Sequence, residues 1–167
     1  MSALGFLGDL RHAFVAHLAD RLSAQICAET AAMFVERGIE APVRSASVLL
    51  FLLKAGSATL TEMARIDGQS HQLLATRLPP LEAMGLIERS VDPADARRRP
   101  YLLTERGAAE ARRVEAACAE IATAMEDLFG EIGSNLVETL DGAMQALGRV
   151  PIADRTHRLR DLPQPVI

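Results

Sequence analysis

Aromatic side chains are scarce: the 167 residues include no tryptophan, one tyrosine and five phenylalanines. A core must then be filled by Leu, Ala, Ile, Val and Met, and the abundance of Leu and Ala favours a helix-rich fold. Cysteine is nearly absent too. Cys27 and Cys118 cannot build a disulfide framework or a Cys-x-x-Cys metal motif. Each falls on an apolar helical face and is expected to be a small buried hydrophobe, since a redox sensor would need a low-pKa thiol with helping groups. No apolar run reaches the ~20 residues of a membrane helix. The start, MSALGFLGDLRHAF, lacks the basic residues, apolar run and cleavage site of a secretion signal. A cytoplasmic protein with no membrane partner is expected.

Positive charge is not in excess either. Eighteen Lys and Arg stand against 22 Asp and Glu, a net charge of −4, which argues against coating nucleic acid by bulk attraction. The acidic excess lies in the flanks, because Ser57 to Gly107 carries seven acids against seven arginines. Focused basic contacts remain available there. Catalytic constellations are missing as well. The four histidines, His12, His17, His71 and His157, are scattered, with no nucleophile–base pair, Gly-rich phosphate loop or paired acids. His12 and His17, five apart, fall on different helical faces and do not make a zinc site. No enzyme activity, cofactor or metal is expected.

Apolar residues, by contrast, make up 49% of the chain. From residue 4 to about 36, Leu7, Leu10, Phe14, Leu18, Leu22, Ile26 and Met33 recur mostly three or four apart, which predicts a long amphipathic helix broken near Gly8. Gly38 and Pro42 bracket a loop. Val43 to Lys54 is apolar on nearly every side, too short to span a membrane, and so predicted to be the centre of the core. Thr104 is placed to cap a helix in which Ala111, Val114, Cys118, Ile121, Met125 and Leu128 make a heptad-type seam that Gly130 and Gly133 interrupt. Leu136, Leu140, Met144 and Leu147 form a second stripe. Pro151 to Ile167 has no periodicity and reads as a tail.

The most informative stretch is Thr59 to Gly107. Thr61 is placed to cap a short helix through Ile66, with Glu62 complementing the helix dipole, and Asp67-Gly68 ends it. Ser70 can cap a second helix in which Leu74, Leu78 and Leu81 share one buried stripe, and Gly85 suits the left-handed residue that closes it. Two short β-prone runs follow, Leu86 to Arg89 and Tyr101 to Leu103, around a basic tip. The expected fold is mostly α with a small β-wing: a winged helix-turn-helix.

GLIERSVDPADARRRPYLLTERG resembles the wing of the MarR (multiple antibiotic resistance regulator) family, in Gly85-Leu86-Ile87, Asp95 with Arg97, and Leu103-Thr104 with Gly107. The resemblance implies a homodimeric, ligand-responsive transcription regulator, usually a repressor, on double-stranded DNA with a palindromic site. It implies an N-terminal dimerisation helix over 1–41, the winged domain over 42–107, C-terminal dimerisation helices over 108–150 and the tail over 151–167. Excess apolar face on the flanking helices points the same way. Ser70, His71, Gln72 and Thr76 are the expected groove-facing residues, with Ala75 beside them. The resemblance places Arg97 in a minor groove, steadied by Asp95. Arg98 and Arg99 at the basic tip are expected on phosphates, or one of them there and the other pointing away, since side chains alternate along a strand. Phe14, His17 and Phe51 are candidate pocket residues for a small-molecule effector. Two features depart from the family pattern: Thr76 stands where many members carry a DNA-contacting Arg, and Pro79-Pro80 predicts a bent or split second helix. A dimeric winged-helix interaction module without DNA reading is the alternative.

Overall fold

The computed structural model describes residues 4–68, 70–91 and 98–160. The chain forms two compact units, Met1–Ile121 and Ala122–Ile167, whose boundary falls within one long helix.

In the first unit a 3₁₀ segment, Gly5–Phe14, precedes helix α1, Val15–Glu36. The break predicted near Gly8 is present, while the residues before α1 wind as 3₁₀ rather than α. Gly8 takes φ 53° and ψ −129°, which no helix accommodates. A 3₁₀ turn at Val43–Ser45 leads into α2, Ala46–Ala55. Val48, Leu49 and Leu52 of α2 are buried, and Leu50, Phe51 and Leu53 are half-buried against the same core. Then come β1 (Ser57–Ala58), α3 (Leu60–Asp67), α4 (His71–Ala83), β2 (Ile87–Arg89), β3 (Tyr101–Leu103) and α5 (Glu105–Ile132). The sheet is antiparallel with β3 between β1 and β2, in register Ala58↔Tyr101 and Arg89↔Tyr101. β1 was not foreseen, since two residues carry no readable period.

The joint between wing and α5 explains the Leu-Thr-x-x-Gly pattern. Thr104 Oγ1 accepts from the Gly107 amide at 2.9 Å, capping α5, and donates to the Gly85 carbonyl at 2.7 Å. A Cβ on Gly107 would lie 1.7 Å from the Leu86 carbonyl oxygen, so only glycine lets the helix approach β2 this closely. Gly85 itself takes φ +65°, as the close of α4 requires.

Glu110 on α5 is buried, and a buried charge must be paired. Its Oε1 accepts from the Glu40 and Ala41 amides at 2.6 and 2.9 Å, and Arg113 sits 2.8 Å from Oε2. The carboxylate thus ties the loop after α1 to α5. The α5 seam fades outward: Ala111, Val114 and Ala117 are buried, Cys118 and Ile121 half-buried. Burial pushes the Cys118 thiol above its ordinary range, the opposite of an activated cysteine. Gly130 does not interrupt α5, which continues to Ile132 and stops at Gly133, φ +66°.

In the second unit α6, Leu136–Arg149, is capped by Asn135, whose side chain accepts from the Val137 and Glu138 amides. The expected tail is partly helical instead: α7 spans Ile152–Arg160. Pro151 precedes its first turn, Asp154 complements the dipole, and Arg155 donates to the carbonyls of Val150 (3.0 Å) and Ala146 (2.9 Å).

Candidate nucleic-acid interface

Four short-range features build the helix-turn-helix. The cap of α3 is Thr59, not Thr61: Thr59 Oγ1 accepts from the Glu62 amide at 3.3 Å, and Glu62 Oε2 accepts from the Thr59 amide at 2.7 Å. This reciprocal capping box was legible in the Thr59-x-x-Glu62 spacing. Gly68 closes α3 in the left-handed region. Ser70 Oγ accepts from the Leu73 amide at 3.2 Å and so caps α4 as expected. Leu74, Leu78 and Leu81 anchor α4 in the core.

That anchoring decides what α4 presents. Ser70, His71, Gln72, Ala75 and Thr76 are all exposed along its first two turns. Thr76 Oγ1 donates to the Leu73 carbonyl at 2.6 Å, so its hydroxyl already has an acceptor within the helix. Pro79 and Pro80 do not split α4, which runs unbroken from His71 to Ala83. Each proline denies a helical donor to the carbonyl four residues back. Those carbonyls belong to Ala75 and Thr76, exposed residues whose oxygens water can satisfy.

Between α3, α4 and the sheet lies a groove of about 550 Å³ lined by Thr59, Thr61, Ala75, Pro79 and three arginines, Arg89, Arg98 and Arg99. Two of the three are engaged. Arg89 donates to Glu82 at 3.1 Å, with its guanidinium 4.8 Å from the centroid of the Tyr101 ring. Arg98 lies 2.6 Å from Glu62. In this conformation its charge is held by a carboxylate. Arg99 is exposed on the groove wall and has no ion pair among the described residues. Asp95 and Arg97, the sharpest of the sequence-based candidates, lie outside the described residues. Sequence reasoning missed Arg89 and Thr59; nothing in the local pattern marks Arg89, whereas the capping-box spacing marked Thr59.

At the far end of α4, Arg106 donates to the Met84 carbonyl at 2.9 Å and to Glu40 at 2.6 Å. The loop after α1 therefore reaches the close of the second helix through one guanidinium. Phe51 lines a separate cleft with Ser47, Val48, Met63, Ile66 and Leu74, but its volume of about 110 Å³ falls short of the ~300–1,000 Å³ of ordinary ligand pockets. Phe14 and His17 are exposed and line neither cavity. Among the described residues no group of three His, Cys, Asp or Glu could hold a metal, and no helix is long and apolar enough to cross a membrane.

Comparison with known proteins gives the same architecture. The family model described as HxlR-like helix-turn-helix matches residues 44–129. The DNA-bound transcriptional repressor CouR superposes with a TM-score of 0.59 at 22% identity, over 85% of this chain and 95% of that one. The MarR family transcriptional regulator SPO1453 from Silicibacter pomeroyi DSS-3 gives 0.59 at 20%, over 80% and 95%. The MarR family transcription regulator SP03579 gives 0.56 at 27%, over 92% of this chain and 98% of that one. No curated protein matches by sequence.

Proposed function

Because the chain belongs to the HxlR-like helix-turn-helix family of transcription regulators and has the winged fold of MarR-family regulators, we propose that it is a homodimeric, sequence-specific DNA-binding repressor relieved by a small-molecule effector. The observation that carries this reading is the exposed polar start of α4, Ser70-His71-Gln72, held outward by a buried leucine stripe. A helix so presented enters a major groove with its N-terminal turns leading, where Gln72 can pair with adenine and Ala75 can meet a thymine methyl. Arg97, steadied by Asp95, reads the minor groove, and Arg99 contacts phosphate. Thr76 takes part through its methyl group while its hydroxyl stays on the helix. CouR, a repressor of this fold, is bound to a 23-mer duplex.

Dimerisation is supported by apolar side chains that the single chain leaves exposed, including Leu10, Phe14 and Val15 before and within α1 and Leu140 and Met144 on α6. A two-fold dimer reads a palindrome with half-sites one helical turn, ~34 Å, apart. An effector would act by favouring a dimer whose recognition helices no longer match that spacing.

Fluorescence anisotropy with DNA from upstream of its own gene, over a salt series, tests the reading. Arg97→Ala is expected to weaken binding more than tenfold. A second reading, a dimeric winged-helix interaction module, is favoured by the pairing of Arg89 and Arg98 with acids. It requires a dimer without salt-dependent DNA affinity, so the same titration decides between them.

A further inference from the structure

Glu62 makes contacts in two directions. Its Oε2 accepts from the Thr59 amide (2.7 Å) and hydroxyl (2.8 Å), completing the cap of α3. Its Oε1 accepts from Arg98 Nη2 at 2.6 Å, across 36 residues of sequence. Arg98 and Arg99 are the described residues that lead through Pro100 into β3. The Pro100 carbonyl accepts from Ser90 at 2.9 Å, extending the β2–β3 pairing toward the wing.

We propose that Glu62 is a positioning residue for DNA recognition: one carboxylate oxygen caps the first helix of the helix-turn-helix while the other holds Arg98, fixing the root of the wing to that helix. This deepens the DNA-binding reading above and rests on it. An exposed ion pair is ordinarily weak, because two long side chains must be ordered to form it. Here the capping box has already ordered the glutamate, so only Arg98 is left to lose its freedom. The hydrogen bonds from Thr59, with Arg98 adding, hold the Glu62 carboxyl below its ordinary range, so the anion is the form present at neutral pH. A negative charge on a surface that faces DNA is otherwise a liability. Bare electrostatics and wing positioning therefore predict opposite signs for its removal.

Two measurements on the full chain test this, with Glu62→Gln, Arg98→Lys and Thr59→Ala beside wild type. Amide exchange of the DNA-free protein is read at Ser90 and at Tyr101 to Leu103, and DNA affinity by anisotropy at fixed salt. Glu62→Gln is expected to speed exchange at those amides and to weaken DNA binding about threefold, the scale of a well-ordered surface pair. Arg98→Lys, which keeps an ammonium for the carboxylate, stays within about twofold of wild type in both. Thr59→Ala lowers the melting temperature through the lost hydroxyl cap, but the amide of residue 59 still donates to Oε2 and keeps the glutamate ordered, so both readouts stay near wild type. Unchanged exchange in Glu62→Gln, a gain in its DNA affinity, or a Thr59→Ala protein that behaves like it overturns the assignment. A wild-type protein with no salt-dependent DNA affinity overturns the DNA-binding reading instead, and the exchange arm still decides whether Glu62 holds the wing.

Discussion

Leucine stripes with the same helical spacing meet opposite fates in α4 and α6. Leu74, Leu78 and Leu81 are 1%, 2% and 0% exposed, whereas Leu140 and Leu147 on α6, with Met144 between them, are 51%, 44% and 63% exposed. Periodicity decides which side chains share a face. Whether that face is covered depends on neighbours, and α4 has α2, α3 and the sheet around it while α6 within its own unit has little. The contrast separates the part of the chain that is folded on its own account from the part that presents surface.

Leu78→Ala probes the first kind of stripe and carries the largest expected effect. Removing a buried leucine side chain from a packed core costs about 2–5 kcal/mol, read as a lowered denaturation midpoint with the slope unchanged. A loss under ~1 kcal/mol, the scale of a surface change, would mean the α4 stripe is no better covered than that of α6. Gly107→Ala comes next. Its new Cβ would meet the Leu86 carbonyl, so the wing and α5 must move apart, at about 1–3 kcal/mol. A variant as stable as wild type would show that this joint is loose. The smallest effect on folding belongs to Leu140→Glu combined with Met144→Glu, within ~0.5 kcal/mol for the isolated chain because both sites are exposed. Sedimentation velocity should nevertheless move the protein from dimer to monomer. A dimer that persists removes α6 from the proposed interface, and the comparison then rests on α1.

Much of the winged segment was legible because its signals are local. Ser70 caps α4, Gly68 and Gly85 close their helices, and Thr104 caps α5, each through atoms a few residues apart. The errors have equally specific causes. Thr59 and Thr61 both stand at the start of the same helix, and the reciprocal bond with Glu62 singles out Thr59 as its cap. Gly130 reads as a breaker, yet one glycine costs a helix about 1 kcal/mol and the turns on either side of it hold. Residues 152–160 lack an apolar period, but Arg155 reaches back to two carbonyls near the end of α6 and steadies the turn that follows. For the interface, the exposure of Ser70, His71, Gln72, Ala75 and Thr76 was legible from the leucine spacing of α4. The pairing of Arg98 was not, because its partner is 36 residues away.

The sequence by itself determined the helices from α1 to α6 in outline, most of their caps, the wing pattern and the family, all of which depend on spacings of one to four residues or on an ordered local motif. Tertiary structure alone decided three things: that Glu62 holds Arg98, that Glu110 gathers two amides some 70 residues distant, and that β1 completes the sheet. The reason is physical. A cap or a helical stripe is specified by neighbours along the backbone, whereas a charge pair or a strand edge is specified by whichever distant segment the packed core brings within about 3 Å.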